Sequence, residues 1–165
     1  MTREEFKNVF DIHFNHIRNY LYYRCGDQEM ATDVAQETFI RLWEKNSELV
    51  VDNLKALLYK MAGDLLITHI RKRNVMLRYK SKPIEEQFNE SPHDQMRYKE
   101  LLMNYEKALE AMPEKQRTVF LLSRMDGMKY NDIAENLGLS VKAVEKRMKL
   151  ALQNLRHVIG ENRDN

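Results

Sequence analysis

Apolar residues recur at intervals of three and four along nearly the whole of this 165-residue chain, and only three prolines and five glycines interrupt it. A period close to that of the α-helix with so few breakers leaves little room for strands, so the chain is expected to be almost entirely helical. One stretch departs from the pattern. Between Arg78 and Gln95, YKSKPIEEQFNESPHDQ holds two of the three prolines, many charges, and only Ile84 and Phe88 as large aliphatic or phenylalanine side chains. Such a segment cannot bury enough apolar surface to order itself. The expected fold class is all-α: two small helical domains, residues 1–77 and 96–165, joined by a flexible linker at 78–95. Met103, Met112, Met125 and Met148 sit in apolar rows and are expected to fill the cores.

Several classes of protein are disfavoured. A single cysteine, Cys25, permits no internal disulfide, which suits a reducing compartment. The charged start MTREEFKNVF lacks the apolar core of a signal peptide, and no stretch approaches the roughly 18 apolar residues of a membrane span. A cytoplasmic location is expected. His13 and His16 would supply half a metal site at most, Cys25 has no activating partner in the sequence, and there is no glycine-rich phosphate cradle. Neither a metal, a cofactor nor an enzymatic activity is expected.

The formal net charge of +2 conceals a segregation. Residues 1–53 carry 6 basic and 10 acidic groups, whereas residues 54–82 carry 8 and 1. Residues 84–114 are acidic again, with 3 against 8, and residues 138–160 are basic, with 5 against 1. Two separate cationic blocks suit contact with a polyanion at two places, because Lys and Arg clusters release condensed counterions from nucleic acid.

The second block lies in YNDIAENLGLSVKAVEKRMKLALQNLR, from Tyr130 to Arg156. Ala134 is small where two crossing helices must approach, Gly138 follows where the turn needs a positive φ, and Val144 follows as an apolar plug. This is helix-turn-helix spacing. Ser140 is placed to cap the second helix, although Ala143 cannot complete a capping box with it. Projected at about 100° per residue, Val144, Met148, Ala151 and Leu155 share one stripe while Lys142, Lys146, Lys149 and Gln153 share the opposite one. Glu145 and Arg147 flank that outward stripe, which suits a helix lying in a major groove.

In the first domain, Met30–Asn46 is amphipathic: Ala31, Val34, Ala35, Thr38, Phe39 and Leu42 gather on one side, and Asp33, Glu37, Ile40 and Glu44 line the other. An isoleucine on an acidic face beside Gln36, Arg41 and Trp43 suggests a protein-binding surface. The following helix is expected to turn Leu54, Leu58, Met61, Leu65 and Ile70 inward, and it ends in the cations Arg71, Lys72 and Arg73. Cations there also favour a helix C-terminus through its dipole. A basic helix carrying an aromatic such as Tyr59 has what single-stranded nucleic acid needs: charge for the backbone and a flat ring for a base.

Taken together, ATDVAQETFIRLW, NLKALLYKMAGDLLITHIRKR and MPEKQRTVFLLSRMDGMKYNDIAENLGLSVKAVEKRMKLALQNLR resemble, in this order, three motifs of bacterial sigma factors of the extracytoplasmic-function group of the sigma-70 family. The resemblance implies a protein that binds core RNA polymerase and directs promoter-specific initiation. On it, Asp33, Gln36, Glu37, Arg41 and Trp43 would dock on the clamp helices of the polymerase's largest subunit. Lys45–Asn53 would form a loop that captures a flipped base. Tyr59, Lys60, Asp64, Thr68, Arg71, Lys72 and Arg73 would line the melted −10 element. Lys142, Glu145, Lys146, Arg147 and Lys149 would face the −35 duplex, and the linker would thread the enzyme's RNA path. Members of the family are typically held inactive by an anti-sigma factor, so such a partner is also implied.

Three positions depart from the family pattern: Asp64 stands where Asn is common, Thr68 where Asp or Asn is frequent, and Ala143 where Thr is usual. Beside DNA, an Asp lacks the amide donor and adds repulsion. The alternative is a plain helix-turn-helix repressor or activator, to which the DVAQETFIRLW helix would be of no use.

Overall fold

The computed structural model of the protein describes residues 1–45, 52–73 and 92–161. Among them are seven helices and no strand: α1 (Arg3–Cys25), α2 (Gln28–Glu44), α3 (Leu54–Arg73), α4 (Pro92–Ala111), α5 (Glu114–Arg124), α6 (Tyr130–Leu137) and α7 (Val141–Glu161). Helices α1–α3 pack as one bundle and α4–α7 as another.

The helix ends follow local chemistry. Thr2 and Glu5 form a reciprocal capping box on α1, with Glu5 N donating to Thr2 Oγ1 at 3.2 Å and Thr2 N to Glu5 Oε2 at 2.7 Å. Helix α1 stops at Gly26, whose φ of 68° a side chain would disfavour. One residue on, Asp27 caps α2 by accepting from Met30 N at 3.0 Å. Asn53 caps α3 in the same way, through Ala56 N at 3.0 Å.

In the first bundle the rings of Phe6, Phe10 and Phe14 surround Phe39 at centroid distances of 6.5, 5.1 and 5.9 Å. The expected inner face of α2 is fully buried, from Ala31 to Leu42. Burying a side chain the size of Leu or Phe stabilises the fold by about 1.5–3 kcal/mol, so this stripe accounts for much of the bundle's cohesion. The inner face of α3 differs from the expectation. Leu58 and Leu65 are buried, but Leu54, Met61 and Ile70 are only half-buried, and Tyr59, Ala62, Gly63 and Leu66 are buried as well. The reason is that α3 is covered from two directions, by α1 and α2 within its bundle and by α6 from the other. Gly63 belongs to this crowding: a Cβ there would lie 2.9 Å from the Arg24 guanidinium and 3.1 Å from the Tyr20 hydroxyl.

Two methionines expected in the core are outside it. Met103 is 55% exposed because it lies on the side of α4 opposite Ala108, Leu109 and Met112, and Met125, just past α5, is 65% exposed. Met112 and Met148 are buried as expected.

The expected tether needs revision at one end. Pro92 opens α4, a position that suits proline, so residues 92–95 are helical. The rest of the linker, and the loop expected at Lys45–Asn53 apart from its ends, lie outside the described residues. The two bundles also touch each other, α1 against α5 and α3 against α6.

Candidate nucleic-acid interface

The turn between α6 and α7 is built as the Ala, Gly and Val spacing requires. Ala134 and Val144 are buried, and Gly138 has φ of 64°. Leu139 N donates back to Ala134 O at 2.8 Å, closing the end of α6. Ser140 Oγ accepts from Ala143 N at 3.1 Å and so caps α7. Val144, Met148, Ala151 and Leu155 are buried, which turns Lys142, Lys146, Lys149 and Gln153 outward, all exposed. Glu145 is exposed beside them and Arg147 is half-buried. The result is a rigid helix offering three ammonium groups and a carboxamide to a groove.

On α2 the outward face carries Gln36, Ile40, Arg41 and Trp43, exposed, with Asp33 and Glu37 partly covered. Ile40 is 58% and Trp43 43% exposed, and the indole packs edgewise on Phe6 at 5.0 Å. The carboxylates are engaged within the molecule. Glu37 Oε1 accepts from Arg41 at 2.6 Å and Oε2 lies 2.6 Å from His69 Nε2, while Asp33 Oδ2 is 3.7 Å from Arg73 Nη2. The hydrogen bond from His69, with Arg41 adding to it, holds the Glu37 carboxyl below its ordinary range. The structure thus brings the acidic face of α2 and the basic end of α3 together.

Along α3, Lys60, Asp64, Thr68, Arg71, Lys72 and Arg73 are exposed, and the Thr68 hydroxyl donates to Asp64 O at 3.1 Å. Tyr59 is different: only 1% exposed, it lies with its ring 4.9 Å from that of Tyr20 and its hydroxyl 3.9 Å from the Met128 sulfur. Burial raises its phenol well above the ordinary value. In this arrangement the ring is a core residue shared by both bundles. A shallow cleft runs beside it between α3 and the α6 end, lined by Arg24, Lys60, Gly63, Asp64, Asn136 and Gly138.

What sequence reasoning missed is the contact that closes this arrangement. Arg117 is 6% exposed and donates to Tyr23 O at 2.9 Å, Arg24 O at 2.8 Å, Leu109 O at 3.4 Å and Met112 O at 3.3 Å. Further contacts join the bundles: Tyr23 donates its hydroxyl to Asp126 at 2.6 Å, Arg24 pairs with Glu114 at 2.5 Å, and Asn53 at the start of α3 donates to Glu135 of α6 at 2.5 Å. The one available signal was a cation on the apolar side of MPEKQRTVFLL. Elsewhere, Cys25 is buried and burial raises its thiol, and the half-buried His13 is lowered by burial. Among the described residues no group of three or more His, Cys, Asp or Glu is placed to hold a metal ion.

Comparison with known proteins agrees with this geometry. Residues 9–75 match the family model for sigma-70 region 2, and residues 102–155 match that for sigma-70 region 4. The chain is 24% identical over 151 residues to the ferric citrate uptake sigma factor FecI of Escherichia coli, covering 90% of this chain and 87% of that protein. It is 27% identical over 167 residues to the ECF RNA polymerase sigma factor SigW of Bacillus subtilis, covering 93% and 88%. Two solved structures share the fold: the sigma factor RpoE of Bartonella quintana in complex with the anti-sigma factor NepR, with a TM-score of 0.67 at 20% identity over 95% of this chain and 98% of that one, and CnrH in complex with the cytosolic domain of CnrY, at 0.66 and 20% over 97% and 90%. With both sigma-70 regions present in order and sigma factors of this group matched along nearly its whole length, the chain belongs to the extracytoplasmic-function group of the sigma-70 family and is a promoter-recognising sigma factor for transcription initiation.

Proposed function

We propose that residues 1–77 and 92–165 divide promoter recognition between them, with the linker at 78–91 joining the two. The outward-facing α2 residues Asp33, Gln36, Glu37, Arg41 and Trp43 dock on core RNA polymerase. Lys60, Asp64, Thr68, Arg71, Lys72 and Arg73 on α3 track the −10 strand, and Tyr59 supplies a ring for a base. Lys142, Glu145, Lys146, Arg147 and Lys149 on α7 read the −35 duplex. The observation that carries this reading is the opposition on α7 of a fully buried apolar stripe to a cationic one, Lys142, Lys146 and Lys149, on a capped helix of a helix-turn-helix.

The buried position of Tyr59 beneath Met128 adds a condition: the ring meets DNA only after α6 has moved off α3. Tethering then raises the local concentration of the second reader once the first is engaged. Extruding a base costs a few kcal/mol, which polymerase and backbone contacts must offset. The protein contributes binding and no chemistry of its own.

RpoE of Bartonella quintana, which shares this fold, is bound in its structure to the anti-sigma factor NepR. For this chain an anti-sigma partner that covers the α2 and α3 faces is part of the proposal, as is action in the cytoplasm. No described helix is long and apolar enough to cross a membrane. The test is a footprint of core polymerase reconstituted with this chain on a promoter library. Protection of two separated patches with a reactive single-stranded segment at the downstream one supports the proposal, and protection of a single duplex site without polymerase indicates a repressor.

A further inference from the structure

The docking stripe of α2 and the basic end of α3 are joined rung by rung. Asp33, Glu37 and Arg41 follow one another at intervals of four on α2, and His69 and Arg73 do so on α3. The closer rung is His69 to Glu37 at 2.6 Å, with the histidine side chain 20% exposed and the glutamate 33%. The outer one, Arg73 to Asp33 at 3.7 Å, is about half exposed on both sides and contributes little by itself. An ionised carboxylate has acceptors only, so the ring nitrogen facing Glu37 must carry the hydrogen. With Arg41 on its other oxygen, the Glu37 carboxylate is held from both sides.

A side chain fixed before its partner arrives loses less freedom on binding. We propose that His69 is a positioning residue for polymerase docking: by donating its Nε2 hydrogen to Glu37 it fixes the carboxylate that the polymerase engages, without itself touching the polymerase. This rests on the reading of α2 as the docking helix. It also gives a role to a histidine on the buried side of the basic segment, a residue that neither the charge pattern nor the docking motif singles out.

The test is the dissociation constant of the full chain for core RNA polymerase, with Glu37→Ala, His69→Ala, His69→Gln and the Glu37→Ala/His69→Ala pair, each checked for an unchanged melting temperature. A pair of this exposure supports an effect of about three- to fivefold for His69→Ala. His69→Gln, whose carboxamide still donates, restores most of the affinity. The double variant binds no worse than Glu37→Ala alone, which a general structural role for His69 would not produce. Wild-type affinity for His69→Ala beside a weakened Glu37→Ala, or losses that add, overturn this proposal alone. An unaffected Glu37→Ala overturns it together with the docking reading.

Discussion

Arg117 donates its Nε hydrogen to the carbonyl oxygen of Tyr23 at 2.9 Å, although 94 residues separate them. Its remaining donors reach Arg24 O, Leu109 O and Met112 O, so one guanidinium serves the C-terminal ends of both α1 and α4. These carbonyls lie in or just past the last turns of the two helices, at the negative ends of their dipoles. Replacing Arg117 with Met is expected to cost roughly 2–4 kcal/mol in chemical denaturation, since several buried acceptors lose a charged donor together. Small-angle scattering of the same variant should report a larger radius as the bundles part.

Tyr59 separates packing from hydrogen bonding. Among the described residues its hydroxyl meets only the Met128 sulfur, at 3.9 Å, while the ring is buried. Tyr59→Phe should therefore leave stability within about 0.5 kcal/mol of wild type, and Tyr59→Ala should cost about 3–5 kcal/mol. Because the proposed base contact uses the ring, Tyr59→Phe should also keep promoter opening, followed by permanganate reactivity.

At Asp126 the sign of a pH effect can be stated. Burial raises its carboxyl above the ordinary value of 3.8, against the opposing hydrogen bond from Tyr23. The folded chain therefore holds the proton more tightly than the unfolded one. Its ionisation costs stability at neutral pH, and that cost disappears as pH falls through the raised folded value towards 3.8. Asp126→Asn keeps an acceptor for Tyr23 and should melt higher than wild type at pH 7, by about 1–3 °C for a chain of this size, with the gap narrowing in acid.

The parts legible in the sequence were those governed by local periodicity. The buried stripes of α2 and α7, the turn at Gly138 and the Ser140 cap all follow from spacing within one or two helices. The contact between bundles did not, because its acceptors are backbone carbonyls of Tyr23 and Arg24, which no side-chain pattern announces. For the same reason Tyr59, read as an outward ring, lies inside. A helix covered on two sides has no single inner face for a moment to reveal. The pairing of Glu37 with His69 was hidden by sequence distance, 32 residues, although each lies on a segment that the sequence marked out.

Within α7 the lysines should differ in kind. Recognition helices present their N-terminal residues to base edges and later ones to the backbone. Lys146→Ala is expected to change the preferred −35 bases in a promoter-library selection. Lys149→Ala should weaken all sequences alike and reduce the salt slope of duplex binding by about one.

The most direct measurement is promoter-dependent run-off transcription by core RNA polymerase supplied with this chain or with its Asp33→Lys variant, a reversal at a half-exposed position of α2. The chain should direct defined start sites, and the variant should lose them while binding −35 duplex as before. Absence of any promoter-dependent transcript with the unaltered chain, or full activity of the reversed one, would contradict the assignment of α2 as the surface that joins the polymerase.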